Sequence, residues 1–87
     1  MHIPNTTTYI QEKAFCGCTN IKSIQVASDN QYYDSRNGCN AIISKKNIVD
    51  SYGNVEVTSN TMIAACYNTI IPASVSTIGK YTFAYMS

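Results

Sequence analysis

The sequence predicts a mainly β solenoid with short helical or 3-10 turns. One stretch occurs twice, because aligning the chain with itself at an offset of 68 positions places Ile3 on Ile71 and Ile10 on Ile78. The polar residues are mostly uncharged Ser, Thr and Asn, accompanied by seven Tyr, and such residues favour turns and pleated, half-buried strands. The apolar residues have a spacing that fits neither a long helix nor a long strand.

That spacing is clearest at the end of the first repeated stretch. Phe15, Cys18, Ile21, Ile24 and Val26 follow one another at steps of three, three, three and two positions. Long helices repeat at about 3.6 residues and long strands at about 2.0, so the chain must turn repeatedly here. A coil with one short strand in each turn would carry these residues inward in order.

The offset between the two copies suggests the length of a turn. It divides into three turns of about 23 residues, within the range of leucine-rich-repeat solenoids. One turn would cover 3–25, and Val26 would start the next, since Ile24-Gln25-Val26 alternates like a two-sided strand and a polar stretch follows it. The two middle turns are degenerate, which leaves their boundary open.

Three stretches carry a family resemblance that covers nearly the whole chain: I3-P-N-T-T-T-Y-I-Q-E-K-A-F-C-G-C-T-N-I-K-S-I-Q-V26, D29-N-Q-Y-Y-D-S-R-N-G-C-N-A-I-I43 and T61-M-I-A-A-C-Y-N-T-I-I-P72. The first resembles the BspA-like, treponemal-type leucine-rich repeat, whose pattern runs I-P-x-S-V-x-x-I-G-x-x-A-F-x-x-C-x-x-L-x-x-I-x-I-P. The other two resemble variant repeats of gut Bacteroides surface proteins. The resemblance implies a right-handed solenoid of about three to four turns, with short parallel strands on one side.

The chain departs from the family pattern at two places. Gln11 stands where the pattern has Gly, although Gly79 keeps it in the second copy. In addition, residues 44–59 stand where family members pass within a few residues to the next strand. Within them, apolar pairs of Ile48–Val57 flank Ser51-Tyr52-Gly53-Asn54, which predicts a β-hairpin added to the solenoid. We expect residues 1–87 to form one repeat domain or fragment that includes this hairpin.

The four cysteines do not form a strong metal signature. Cys16 and Cys18 are arranged as C-x-C, and Cys39 and Cys66 are isolated beside apolar runs. We expect buried free thiols that behave as small hydrophobes, and neither a metal nor another cofactor. A disulfide between Cys39 and Cys66 stays open, because exported proteins can form one.

No catalytic constellation is evident, so we expect no enzyme. The single histidine is His2, and a terminal residue is poorly placed to serve as the general base of a cysteine nucleophile. The net charge of +1 predicts no basic face for nucleic acid. No apolar run approaches the roughly 20 residues of a membrane span, so we expect no membrane insertion.

Two functional classes remain. In the first, the chain is a non-enzymatic binding module for a protein or a glycan, and exposed tyrosines such as Tyr32, Tyr33 and Tyr52 supply flat amphipathic contact surface. In the second, it is a spacer or stacking unit of a longer solenoid and has no ligand of its own. Alternatively, Tyr33 packs against a turn and Tyr52 merely occupies a hairpin tip. A contiguous exposed aromatic patch would favour the first class, and a polar, irregular surface with apolar ends would favour the second. The family resemblance implies a surface or secreted parent protein, with adhesion as a known association.

The solenoid ends predict self-association. The first turn opens with Ile3-Pro4 and the last reaches Phe83 and Met86, so neither end carries the polar cap that solenoids need for solubility. We expect contact between copies through these ends, with Phe83 and Met86 buried.

Overall fold

A computed structural model describes residues 2–10, 23–66, 69–79 and 82. This part of the chain is mainly β, as predicted, and contains a 3-10 helix at Arg36–Gly38. No helix in it is long and apolar enough to cross a membrane. The strands are β1 (His2–Ile3), β2 (Gln25–Val26), β3 (Tyr33–Asp34), β4 (Ala41–Ser44), β5 (Ile48–Val49), β6 (Val55–Val57), β7 (Thr61–Ala65) and β8 (Thr77–Ile78).

A four-stranded sheet in the order β3-β4-β7-β8 forms the centre. Its two longest strands, β4 and β7, are antiparallel and pair Ile42 with Ala64 and Ile43 with Met62. Ile63 is skipped between these pairs, so the register shifts by a bulge. Every residue of both strands is buried, because apolar side chains cover both faces of the sheet.

Those side chains form two hydrophobic cores, one on each face. Strand alternation separates them, since Ile42 and Ala64 belong to one core while Ile43 and Met62 belong to the other. The main core consists of Ile3, Ile10, Ile24, Tyr33, Ile42, Ile48, Val57, Ile63, Ala64 and Cys66. The second core consists of Cys39, Ala41, Ile43, Met62 and Ala65.

Parallel pairing appears at both ends of the described chain. β1 and β2 are parallel, and Ile3 pairs with Val26, which is the separation that the sequence repeat predicts for one turn. β7 and β8 are also parallel, with Thr61 opposite Thr77. The antiparallel centre between these pairs was not expected. Right-handedness and the number of solenoid turns stay predictions.

The hairpin predicted within Ile48–Val57 is confirmed by the antiparallel pairing of β5 and β6. Its turn is closed by the Gly53 amide, which donates to the Asp50 carbonyl at 3.1 Å, and by the Asp50 amide, which donates to the Asn54 carbonyl at 2.9 Å. Gly53 has a φ of +83°, a left-handed conformation that glycine adopts without a steric penalty. This pattern is a three-residue hairpin loop that ends in a bulge.

The hairpin is more integrated than a simple addition would be. Ile48 and Val57 pair with each other and are 4% and 8% exposed, because both side chains enter the main core. Ser44, the first residue of the predicted insertion, instead lies in β4 and is fully buried. Its hydroxyl donates to the Thr58 carbonyl at 2.7 Å and accepts from the Thr61 amide at 3.0 Å. The segment is therefore joined to the central sheet at both ends.

Gly79 keeps the family pattern for a steric reason. Its amide donates to the Met62 carbonyl at 2.8 Å, which draws the backbone against β7. A Cβ at this position would lie 3.0 Å from that carbonyl oxygen and 3.0 Å from the Thr82 hydroxyl. Only glycine fits this approach without a shift of its neighbours. Gln11, which replaces the corresponding glycine in the first copy, lies outside the described residues.

Candidate binding cleft

An open cleft of about 560 Å³ lies between the loop after β1 and the first strand of the hairpin. Its volume falls within the usual range of ligand-binding sites. The described residues that line it are Thr8, Tyr9, Tyr32, Asn47, Ile48, Val49, Asp50 and Ser51. The hairpin thus provides one wall, and two tyrosines dominate the other.

The fully buried Asn30 side chain holds the tyrosine wall in place. Its amide nitrogen donates to the carbonyls of Pro4 and Thr7 at 2.9 and 3.0 Å. Its oxygen accepts from the backbone amides of Tyr32 and Tyr33 at 2.8 and 3.0 Å. One side chain therefore joins the loop that carries Tyr9 to the segment that carries Tyr32.

Tyr33 lies beneath the cleft, so the expectation that it is exposed is wrong. It is 1% exposed and packs in the main core. Its hydroxyl accepts from the Ile10 amide at 2.8 Å and so fixes the end of the loop that carries Tyr9. Burial raises the pKa of the Tyr33 hydroxyl above its ordinary value, although the bond from Ile10 acts in the opposite direction. Tyr33 supports the site and cannot touch a ligand.

Tyr32 lines the cleft, and its role in binding stays a prediction. It packs partly against the main core, and the Lys46 ammonium lies 4.2 Å from the centroid of its ring. This cation–π contact helps to hold the Tyr32 ring in its position. The adjacent Lys45 binds the same region, because its ammonium donates to the Asn30 carbonyl at 2.8 Å and its amide donates to the Tyr32 carbonyl at 2.8 Å.

Tyr9 completes the site and was not predicted. It is 44% exposed, and its hydroxyl donates to the Glu56 carboxylate, 2.8 Å from each oxygen. That hydrogen bond is the main reason that the pKa of Tyr9 is raised above its ordinary value. The two residues are 47 positions apart, so no local pattern in the sequence could pair them. Their contact ties the loop that carries Tyr9 to β6 of the hairpin.

Tyr52 is exposed, as predicted, but it stands apart from the cleft. It is 88% exposed in the hairpin turn and is absent from the cleft lining. Nearby, the paired Val49 and Val55 are also exposed, at 51% and 52%. These three side chains form an apolar hairpin surface beside the cleft.

The whole chain, residues 1–87, matches a protein-family model whose description reads "BspA type Leucine rich repeat region (6 copies)". The protein belongs to the BspA-type leucine-rich repeat family. No curated protein and no solved structure matches it. BspA-type leucine-rich repeats are repeat modules of a kind often used in protein interaction, and they are typical of surface or secreted bacterial proteins.

Two cysteines of this BspA-type repeat region lie within the described residues. Cys39 and Cys66 are free and buried, they belong to different hydrophobic cores, and no disulfide joins them. The prediction of buried thiols is confirmed for both. Burial raises the pKa of the Cys39 thiol, which makes it a weak nucleophile. Cys16 and Cys18 lie outside the described residues, as do Phe15, Phe83 and Met86.

In the part of the chain that the structure describes, no three His, Cys, Asp or Glu side chains cluster in a way that could hold a metal. The exposed His2 lies in β1. The Cys66 thiol donates a hydrogen bond to the Asn40 carbonyl at 3.5 Å.

The buried Tyr33 hydroxyl predicts a pH-dependent difference between two variants. At neutral pH, Tyr33→Phe should lower the free energy of unfolding by about 1–3 kcal/mol, because the buried Ile10 amide loses its acceptor. Since the folded-state pKa of Tyr33 is raised, its contribution is complete below about pH 10 and is lost as the pH rises through the folded-state value. The gap between wild type and Tyr33→Phe should therefore narrow in alkaline solution.

Urea unfolding at neutral and alkaline pH measures this gap. Tyr52→Phe is the matched control, because the same change is made at an 88% exposed position, and it should leave stability almost unaltered. A gap for Tyr33→Phe that stays constant into the alkaline range would contradict the described burial of the hydroxyl.

Proposed function

We propose that this chain is a non-enzymatic, adhesion-type protein-binding module of a surface or secreted bacterial protein. One observation carries the proposal: an open cleft of about 560 Å³ is lined by two tyrosines on a wall fixed from below by buried hydrogen bonds. Tyr9 and Tyr32 are the principal contact residues, and Tyr52 extends the surface along the hairpin.

The chemistry of the cleft supports recognition of a protein. Tyrosine offers a large apolar face and one polar group, and only two side-chain torsions must be fixed on binding. Interface hot spots are enriched in tyrosine for this reason. Glu56 holds the Tyr9 hydroxyl, and Lys46 lies against the Tyr32 ring. Both tyrosine side chains are therefore partly ordered before a ligand binds, which lowers the entropy cost of binding.

The apolar hairpin surface adds to this argument. Val49, Val55 and Tyr52 are more than half exposed, at 51%, 52% and 88%. Val49 also lines the cleft, so this surface is continuous with the tyrosine wall. A contiguous exposed apolar and aromatic patch is typical of interaction sites.

A second candidate, a stacking unit that associates with further repeats or with another copy, is favoured by a different observation. Ile3 and Ile10 of the first copy are 8% and 9% exposed, whereas the equivalent Ile71 and Ile78 of the second copy are 52% and 41% exposed. In the described chain, β8 pairs with β7 alone, which leaves open the edge of the strand that contains Ile78. A stacked turn would cover them.

A binding measurement tests the principal proposal. Wild-type protein is applied to an array of purified extracellular-matrix and cell-surface proteins, and captured proteins are titrated against Tyr9→Ala and Tyr52→Ala. We expect at least one saturable partner whose affinity falls tenfold or more in Tyr9→Ala, a loss of about 1.4 kcal/mol or more. Tyr52→Ala should cause a smaller loss, since Tyr52 lies beside the cleft.

Ile70→Ala is the control, because this side chain is 72% exposed and lies outside the cleft lining. Equal losses in Ile70→Ala and Tyr9→Ala, or no partner at all, would contradict a binding role for the cleft. Binding that disappears when the arrayed proteins are deglycosylated would assign a glycan in place of a protein.

Sedimentation across micromolar concentrations tests the second candidate. We expect concentration-dependent association that Ile78→Lys abolishes, because a charge at the open edge opposes pairing. Val49→Lys introduces the same charge at a side chain of similar exposure and should leave association unchanged. We also expect Phe83 and Met86 at this contact. A strictly monomeric, folded wild-type chain would contradict the proposal.

A further inference from the structure

We propose that the cleft binds its partner as an extended polypeptide segment, which adds as a new strand to the free edge of β5. This inference rests on the proposed function and specifies its binding mode. Strand addition derives affinity from main-chain hydrogen bonds and specificity from alternate side chains. Three features of the cleft support it.

The first feature is the direction of the β5 backbone groups. Within the described residues, β5 pairs with β6 on one side only. The Asp50 amide and carbonyl both bond across the hairpin, to the Asn54 carbonyl and the Gly53 amide. Because bonded and non-bonded positions alternate along an antiparallel strand, the N–H and C=O of Val49 point away from β6. Among the described residues, neither group has a partner outside the hairpin, so both can bond to an incoming strand.

The second feature is the continuity of the cleft along β5. Five consecutive residues, Asn47 to Ser51, line it. Successive side chains of a strand point to opposite faces, and here Ile48 is 4% exposed whereas Val49 is 51% exposed. Because the inward-facing Ile48 and the outward-facing Val49 both line the cleft, the cleft follows the edge of the strand, where the backbone groups are accessible. This arrangement favours a peptide over a sugar, because a sugar does not need a row of backbone groups.

The third feature is the wall opposite β5. Thr8, Tyr9 and Tyr32 lie across the cleft, so alternate side chains of an added strand would meet aromatic rings. β-branched and aromatic side chains suit such contacts on a pleated surface. Val49 supplies only two backbone hydrogen bonds, and each contributes little net free energy, so the tyrosines must supply much of the affinity.

Charge specifies one more property of the partner. Asp50 is the charged residue among the described residues that line the cleft, and its Oδ1 accepts from the amides of Tyr52 and Asn54. Outside the lining, Glu56 adds a second carboxylate next to Tyr9, whereas Lys46 places an ammonium against Tyr32. A segment with lysine or arginine at the Asp50 end of the cleft therefore complements the site electrostatically.

The test uses a synthetic library of capped hexapeptides with alternating threonine and valine or tyrosine and one lysine at a varied position. We expect at least one peptide to bind, to perturb the ring signals of Tyr9 and Tyr32, and to slow hydrogen–deuterium exchange of the Val49 amide at least tenfold. An analogue of that peptide methylated on alternate backbone nitrogens should bind at least tenfold more weakly, because it cannot donate to β5.

Two variants of Val49 separate the backbone from the side chain. Val49→Pro removes the outward N–H and should weaken peptide binding at least tenfold, whereas Val49→Thr keeps the N–H and a β-branched side chain, so its loss of affinity should be clearly smaller than that of Val49→Pro. Thermal unfolding establishes whether Val49→Pro is folded. If it is not, the methylated peptide with wild-type protein remains the deciding comparison.

Several outcomes would overturn strand addition. They are the absence of any peptide that binds, equal binding of the methylated analogue, and unaltered exchange of the Val49 amide in the complex. Binding of free glucose, galactose, mannose or N-acetylglucosamine at Tyr9 and Tyr32 without peptide binding would overturn it in favour of a glycan site. An arrayed protein partner that needs Tyr9 but binds Val49→Pro normally would overturn strand addition and leave the proposed function standing.

Discussion

The Asn30 side chain is the interaction on which the rest of the structure depends. It is fully buried, and both of its polar atoms are satisfied by two hydrogen bonds each. A buried amide with four partners stabilises modestly while it is complete, but its loss leaves several backbone groups without partners at about 1–3 kcal/mol each. Among the described residues, no backbone-to-backbone hydrogen bond joins residues 4–10 to the segment of Tyr32, so the Asn30 side chain makes this connection instead.

The same network shapes the cleft. Asn30 fixes the loop at Pro4 and Thr7, and the Tyr33 hydroxyl fixes it at Ile10, so Tyr9 lies between two anchored points. The amide of Tyr32 binds the other end of the Asn30 side chain. The surface proposed for recognition is thus an extension of the buried hydrogen bonds beneath it, and ligand contacts can be made without ordering the walls afresh.

Local signals in the sequence were sufficient for part of this architecture. The hairpin was predictable because Gly53 and Asn54 favour a turn between short apolar runs. The pairing of Ile3 with Val26 followed from the repeat length. The antiparallel pairing of β4 with β7 was not predictable, since strands buried on both faces have no alternation and no marker of direction.

The candidate site shows the same limit. Tyr32 and Tyr33 are adjacent and identical in type, so composition could not assign one to the cleft and one to the core. Their orientation is set by the bonds of both amides to Asn30, which lies close in sequence but acts through distant partners. Tyr9 was missed because its partner, Glu56, comes from the hairpin. Contacts of this kind depend on the folded backbone and have no sequence period.

The most direct measurement of this account compares two asparagines. Urea unfolding should show that Asn30→Ala lowers the free energy of unfolding by about 3 kcal/mol, because the amides of Tyr32 and Tyr33 lose their acceptor and the Thr7 carbonyl loses its donor. Asn5→Ala removes only an exposed bond to Asp29, 2.8 Å long, and should cost about 0.5 kcal/mol or less. A loss for Asn30→Ala no larger than that for Asn5→Ala would contradict the claim that the Asn30 side chain organises the fold and the cleft.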